Sequence, residues 1–132
     1  MTILLEFAVK YLYTLFDEYK FVIKESKNTG NRFSGSSIII ASNDIEIFLA
    51  IERDEITILF RSLFDIKNNN WYSIEVVMDF LGHKNCLGVM SDYNSSLLKD
   101  ELKQIVLCFG EKQYVETLRK LDEIERKKAK HS

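Results

Sequence analysis

The pattern of apolar and polar residues divides the chain into helical segments at both ends and an alternating region between them. Over residues 2–18, apolar side chains recur every three or four positions, and this spacing predicts a helix whose apolar side is unusually wide. From residue 19 to residue 63 the period shortens to two, which is typical of half-buried strands. The helical period returns after residue 70.

Four strands are predicted in the alternating region. They cover residues 19–24, 38–40, 45–52 and 56–61. Residues 28–37 are rich in Asn, Ser and Gly, and this composition predicts a loop. Ser42-Asn43-Asp44 and Arg53-Asp54 are short enough for turns, although Arg53-Asp54 lacks the glycine that a hairpin favours. Links of this length favour an antiparallel meander over a parallel sheet.

Three helices are predicted in the last half of the chain. They cover residues 71–81, 95–109 and a segment that begins near Tyr114. Asn70 is a candidate N-cap for the first of them, and Gly82 and Gly110 are candidate stops. Residues 126–132 lose the apolar stripe and are predicted to be a frayed tail. The pattern therefore predicts one α+β domain over residues 1–132: an N-terminal helix, a four-stranded, mainly antiparallel sheet, and three C-terminal helices packed on one face.

Composition agrees with a single ordered domain and gives few clues to a ligand. The 132 residues are 46% hydrophobic and 29% charged, with a net charge of −2. Residues 1–110 carry 11 basic and 15 acidic side chains, whereas residues 111–132 carry 7 and 5. The body is therefore mildly acidic, which gives no strong attraction to nucleic acid or to a membrane.

The N-terminal segment is apolar, as a signal peptide or a membrane anchor would be. Glu6 and Lys10 interrupt it, no small-residue cleavage site follows, and it is too short to span a bilayer. We therefore expect a cytoplasmic protein that does not enter the membrane. Cys86 and Cys108 are expected to be free, buried thiols.

Candidate catalytic and metal-binding residues are few. His83 and Cys86 have a His-x-x-Cys spacing, with Cys108 far downstream, and this set lacks one or two ligands for a zinc site. His83 and Cys86 could also form a nucleophile and base, but no third orienting residue is visible. We expect no catalytic residue, no metal and no cofactor, with a small enzyme around His83 and Cys86 as an alternative.

Acidic residues cluster around the two central turns, and they have two interpretations. The cluster consists of Asp44, Glu46, Glu52, Asp54 and Glu55. Because Arg53 and Arg61 are interleaved with them, an ordinary solvated face is the simplest interpretation. An acidic contact surface for a basic partner is the more specific one. Trp71 and Tyr72 are likewise either binding anchors or the lid of the core.

Two stretches of this sequence resemble a group of small bacterial proteins. The strand–turn–strand Ile38-Ile39-Ile40-Ala41-Ser42-Asn43-Asp44-Ile45-Glu46-Ile47 and the helix start Trp71-Tyr72-Ser73-Ile74 look like those of immunity proteins from contact-dependent growth inhibition systems. The resemblance implies a protein without catalytic residues that binds and neutralises a cognate toxin C-terminal domain. Such a toxin is often a nuclease that acts on transfer RNA.

The expected contacts with that toxin combine the acidic cluster with the two aromatic residues. They are Glu46, Glu52, Asp54, Glu55, Asp65, Trp71 and Tyr72. A nucleic-acid-binding regulator that uses the basic tail, Arg126-Lys127-Lys128-Ala129-Lys130-His131, is an alternative, although direct nucleic-acid binding is not expected. A structural subunit of an assembly is another alternative. The wide apolar side of the first helix also suggests a homodimer.

Overall fold

The alternating and helical periods of the sequence are realised as an antiparallel sheet and four helices within the described residues, 2–28 and 35–130 of the computed structural model. In chain order the elements are α1 (Thr2–Glu18), β1 (Val22–Asn28), β2 (Ser36–Ala41), β3 (Ile45–Glu52), β4 (Glu55–Ser62), β5 (Tyr72–Ser73), α2 (Ile74–Phe80), α3 (Asp92–Cys108) and α4 (Tyr114–Lys130). The α+β class is confirmed. The sheet, however, has five strands where four were predicted.

The sheet follows the chain order β1-β2-β3-β4-β5, and every neighbouring pair is antiparallel. Strand β3 lies at the centre, where it pairs with β2 on one side and with β4 on the other. Short links thus produce the predicted meander. A part of the predicted loop, residues 29–34, lies outside the described residues.

The core lies between one face of the sheet and the helices. Alternate residues of the central strands are fully buried on this face, because they point toward the apolar stripes of the helices. These strand residues are Ile38, Ile40, Ile45, Ile47, Leu49, Ile58 and Phe60. The helix α1 packs on β2, β3 and α3, while α2 packs on β4, β5 and α4. Among the described residues, no helix is long and apolar enough to cross a membrane.

The first strand begins later than its alternation predicts. The backbone N–H groups of Tyr19 and Phe21 both donate to the carbonyl oxygen of Leu15, and Lys20 has a positive φ of 56°. Residues 19–21 therefore form the C-terminal turn of α1, and β1 starts at Val22. The prediction of a half-buried strand is also wrong, because the residues of β1 whose burial is described, 22–27, are exposed.

The helix predicted from residue 71 begins at Ile74 instead. The N-cap is Ser73, whose hydroxyl accepts a hydrogen bond from the backbone N–H of Val76. Residues 72 and 73 pair with Phe60 and Leu59 of β4 and form the fifth strand. The sequence pattern missed this strand because two residues are too short to show a period.

The two last helices are longer than predicted. Helix α3 starts at Asp92 because the Ser91 hydroxyl accepts from the backbone N–H of Asn94. The buried Asn94 amide also donates to the carbonyl oxygens of Leu87 and Val89, at 2.9 Å each, and so fixes the preceding linker. Helix α4 continues to Lys130, so the loss of the apolar stripe at residue 126 does not end it.

The β3–β4 hairpin turn consists of Arg53 and Asp54, which both have positive φ, at 53° and 65°. This is the backbone of a type I′ turn, for which Asn-Gly is the preferred sequence. The directly opposed residues on either side, Glu52 and Glu55, carry like charges. The turn is thus unfavourable in both backbone conformation and charge.

Replacing Arg53→Asn together with Asp54→Gly should stabilise the protein by about 1 kcal/mol, because both new residues tolerate positive φ. The measurement is the midpoint of urea unfolding at unchanged m-value. The matched control is Arg53→Ala with Asp54→Ala, which removes the same pair of charges but should destabilise the turn. Equal stability of the two double variants would contradict the argument.

Candidate functional site

The face of the sheet opposite the helices, here called the open face, carries three rows of side chains across the strands. Pairing register places one row at the centre, formed by Ile39, Phe48 and Leu59. On one side of it lies the row Ala41, Glu46 and Arg61, and on the other the row Ser37, Ala50 and Thr57. Ile39, Phe48 and Leu59 are all partly accessible. The open face therefore presents an apolar centre to its surroundings.

Glu46 is the buried charge of this face. Its side chain has 0% exposure and accepts three hydrogen bonds, one from Lys24 Nζ and two from the Arg61 guanidinium, of which the Nε bond is 2.9 Å long. Burial by itself raises the pKa of the Glu46 carboxyl. The hydrogen bonds from Lys24 and Arg61, together with their positive charges, lower the pKa by more than burial raises it, so the net shift is downward. Glu46 is thus a fixed carboxylate, compensated by two cations.

Trp71 lies over this ion cluster. The guanidinium carbon of Arg61 is 4.2 Å from the centroid of the Trp71 ring, which is a cation–π distance. The Phe48 ring lies 5.9 Å from the Trp71 ring at an interplanar angle of 57°. Because Trp71 is only partly buried, it extends the apolar centre of the open face toward β5.

The acidic end of the open face is the β3–β4 hairpin. Glu52, Asp54 and Glu55 are exposed there, together with the single cation of Arg53. A depression beside them is lined by Ala50, Glu52, Arg53, Glu55 and Thr57. The face therefore has a polarity, with net negative charge at the hairpin and the partly exposed Lys24 at the opposite end.

The structure separates the seven predicted contact residues into three groups. It brings Glu52, Asp54 and Glu55 together at the hairpin and places Trp71 on the same face. The interpretation of Glu46 as part of a solvated acidic face is wrong, because its carboxylate is enclosed by Lys24 and Arg61.

Tyr72 and Asp65 lie away from the open face. Tyr72 follows Trp71 in the extended backbone, so its side chain points to the helices, where it is 1% exposed and its hydroxyl donates to Asp122 at 2.7 Å. Burial and this hydrogen bond raise the pKa of Tyr72. Asp65 lines a separate depression with Tyr72 and Asp122 beside α4. Tyr72 therefore belongs to the lid of the core.

Sequence reasoning missed the apolar and basic residues of the open face. The alternation of residues 45–52 puts Glu46, Phe48 and Glu52 on the same face of the strand, so the sequence did contain a signal for Phe48. No sequence signal indicated that Lys24 and Arg61 would meet at Glu46. Lys24 lies on β1, which β2 separates from the strand of Glu46, and Arg61 lies on β4.

The other candidate chemistries are not assembled into a site by the described residues. His83 Nε2 lies 3.4 Å from a Glu101 carboxylate oxygen, while Cys86 and Cys108 are buried thiols. Burial raises the pKa of Cys86, which opposes thiolate formation. Residues 2–28 and 35–130 contain no group of three or more His, Cys, Asp or Glu side chains that could hold a metal ion. In the basic tail, Lys128 lies near Glu75 and Asp79, at 3.8 Å and 3.5 Å.

Replacing Glu46→Gln should cost about 3 kcal/mol at neutral pH, because Lys24 and Arg61 lose their buried counter-charge. The pKa of Glu46 is lower in the folded state than in the unfolded state. Its stabilisation is therefore complete above the unfolded pKa and disappears as the pH falls through the folded pKa. Urea unfolding at neutral and acidic pH should show a difference from wild type that shrinks in acid.

The matched control is Glu25→Gln, which alters a nearby carboxylate that is 47% exposed and forms an ion pair with Lys27. Its effect should be small, as for other surface pairs. A loss for Glu46→Gln that stays constant from neutral to acidic pH would contradict the electrostatic explanation and indicate a packing defect instead.

Comparisons of the chain with protein-family models, with curated proteins and with solved structures find no match. The resemblance to immunity proteins therefore remains a prediction from the residues that carry it. The geometry itself provides a partly accessible apolar sheet face with an exposed acidic hairpin at one end.

Proposed function

We propose that this protein is a cytoplasmic immunity protein that neutralises a cognate toxin domain by stoichiometric binding, without catalysis of its own. The observation that carries the proposal is the open face, on which a central apolar row leads to an exposed acidic hairpin. The toxin is proposed to be a nuclease acting on transfer RNA, because a cleft that binds a polyanion is basic.

The physical roles of the two parts differ. The apolar row and Trp71 would supply affinity, because aromatic and aliphatic groups at the centre of an interface lose their water on binding. The carboxylates of Glu52, Asp54 and Glu55 would accelerate encounter with a basic cleft and orient the partner. Glu46 would act indirectly, since it holds the Arg61 guanidinium under the Trp71 ring.

The first test expresses the C-terminal domain of whatever protein is encoded immediately upstream, with and without this protein. Toxicity that the protein relieves, together with a one-to-one complex on purification, would support the proposal. Toxicity without relief, and without a complex, would overturn it and favour a regulator or an assembly subunit.

Reversing the charge of the hairpin with Glu52→Lys and Asp54→Lys should weaken toxin binding at least tenfold, because two attractions to the basic cleft become repulsions. The dissociation constant, measured by calorimetry at low and high salt, should also change much less with salt concentration than that of wild type. The matched control is Asp100→Lys with Glu111→Lys, which changes the net charge equally at exposed positions outside the hairpin.

The control variant should bind like wild type and protect cells equally. If the hairpin variant also protects cells and binds as tightly as wild type, the acidic hairpin is not the contact, even where the complex itself has been demonstrated.

A further inference from the structure

The outer side of α1 is a second exposed surface, on the opposite side of the sheet from the open face. It carries an apolar ridge at helical spacing: Leu5, Val9 and Tyr13 are 39%, 66% and 60% exposed. Beside this ridge runs a polar one, in which Glu6 and Lys10 are also one turn apart. A shallow groove between the ridges is lined by Thr2, Leu5, Glu6, Val9 and Lys10.

The charged side chains of this surface, Glu6 and Lys10, have no oppositely charged partner within the described part of the chain. Neither Glu6 nor Lys10 forms an ion pair with any residue in 2–28 or 35–130, and Lys10 Nζ lies 5.2 Å from the centroid of the Tyr11 ring. Glu6 and Lys10 lie one turn apart on the helix. When two copies of this surface meet in antiparallel orientation, the anion of each copy can therefore lie opposite the cation of the other.

We propose that α1 is a homodimer interface, in which it packs antiparallel against α1 of a second copy. In an antiparallel pair related by a twofold axis, equivalent edges of the two helices face each other and run in opposite directions. If the axis passes the level of Ala8, Glu6 of each copy lies at the level of Lys10 of the other. Two intermolecular ion pairs then form along one edge.

The apolar ridge fits the same arrangement. Along the helix, Leu5 lies three residues before Ala8, Val9 lies one residue after it, and Tyr13 lies five residues after it. The twofold axis inverts these positions in the partner. Side chains of the two copies therefore alternate at intervals of about 3 Å, as interdigitating ridges require.

The interface is small, and this sets the expected affinity. One helix crossing buries less than the roughly 800 Å² per partner of a standard interface. We therefore expect self-association in the high micromolar range. The dimer does not depend on the proposed toxin binding, because α1 and the open face lie on opposite sides of the sheet. Both surfaces can be occupied together.

The test uses the full chain and sedimentation equilibrium from roughly 10 to 500 µM. The wild type should move from 15.5 kDa toward twice that mass. Glu6→Lys alone and Lys10→Glu alone should each remain monomeric, because each creates two like-charge contacts. The double variant Glu6→Lys, Lys10→Glu should dimerise again, since it exchanges the partners of both ion pairs.

Mixing the two single variants gives the sharpest outcome. One carries two lysines and the other two glutamates at these positions, so an equimolar mixture should form heterodimers while each protein alone stays monomeric. Circular dichroism checks that all variants remain folded. A wild type that is monomeric at the highest concentration would overturn the proposal, as would single variants that dimerise as well as wild type.

Discussion

Strand β3 is hydrogen-bonded to both neighbours along almost its whole length, and a shift of one residue in its register would exchange its two faces. One face carries Ile45, Ile47 and Leu49, which are all fully buried under the helices. Exposing these three side chains would cost several kcal/mol, which is a large part of the stability of a domain this size. The burial of that face thereby fixes which side chains appear on the other, and the open face follows from the core.

The open face combines an apolar centre with a buried carboxylate, and the compensation of Glu46 makes this combination stable. An uncompensated carboxylate beneath Trp71 would cost several kcal/mol of desolvation. Lys24 and Arg61 offset that cost, and the hydrogen bonds that Arg61 donates to Glu46 hold its guanidinium beneath the aromatic ring. The aromatic part of the face is therefore ordered before any partner arrives, which lowers the entropic cost of binding.

The fold class and most elements could be predicted because their signals are local. The period of α1 and the alternation of β3 and β4 depend only on which residues lie next in the chain. The candidate site is different. Glu46 has the pattern of a surface residue, and its burial depends on cations from two other strands. The opposite faces of Trp71 and Tyr72 depend on the two-residue strand β5, which has too few residues to show alternation and is defined only by its pairing with β4.

Trp71 is the only tryptophan of the chain and lies on the open face, next to both the Arg61 guanidinium and the Phe48 ring. Indole emission responds to the polarity of its surroundings and to nearby charge. The intrinsic fluorescence of the protein, excited selectively at the indole, is therefore a signal from this one face, without background from a second indole in the chain. The molecule thus has a built-in optical probe for whatever covers the open face, and titrations can be followed without labelling either partner.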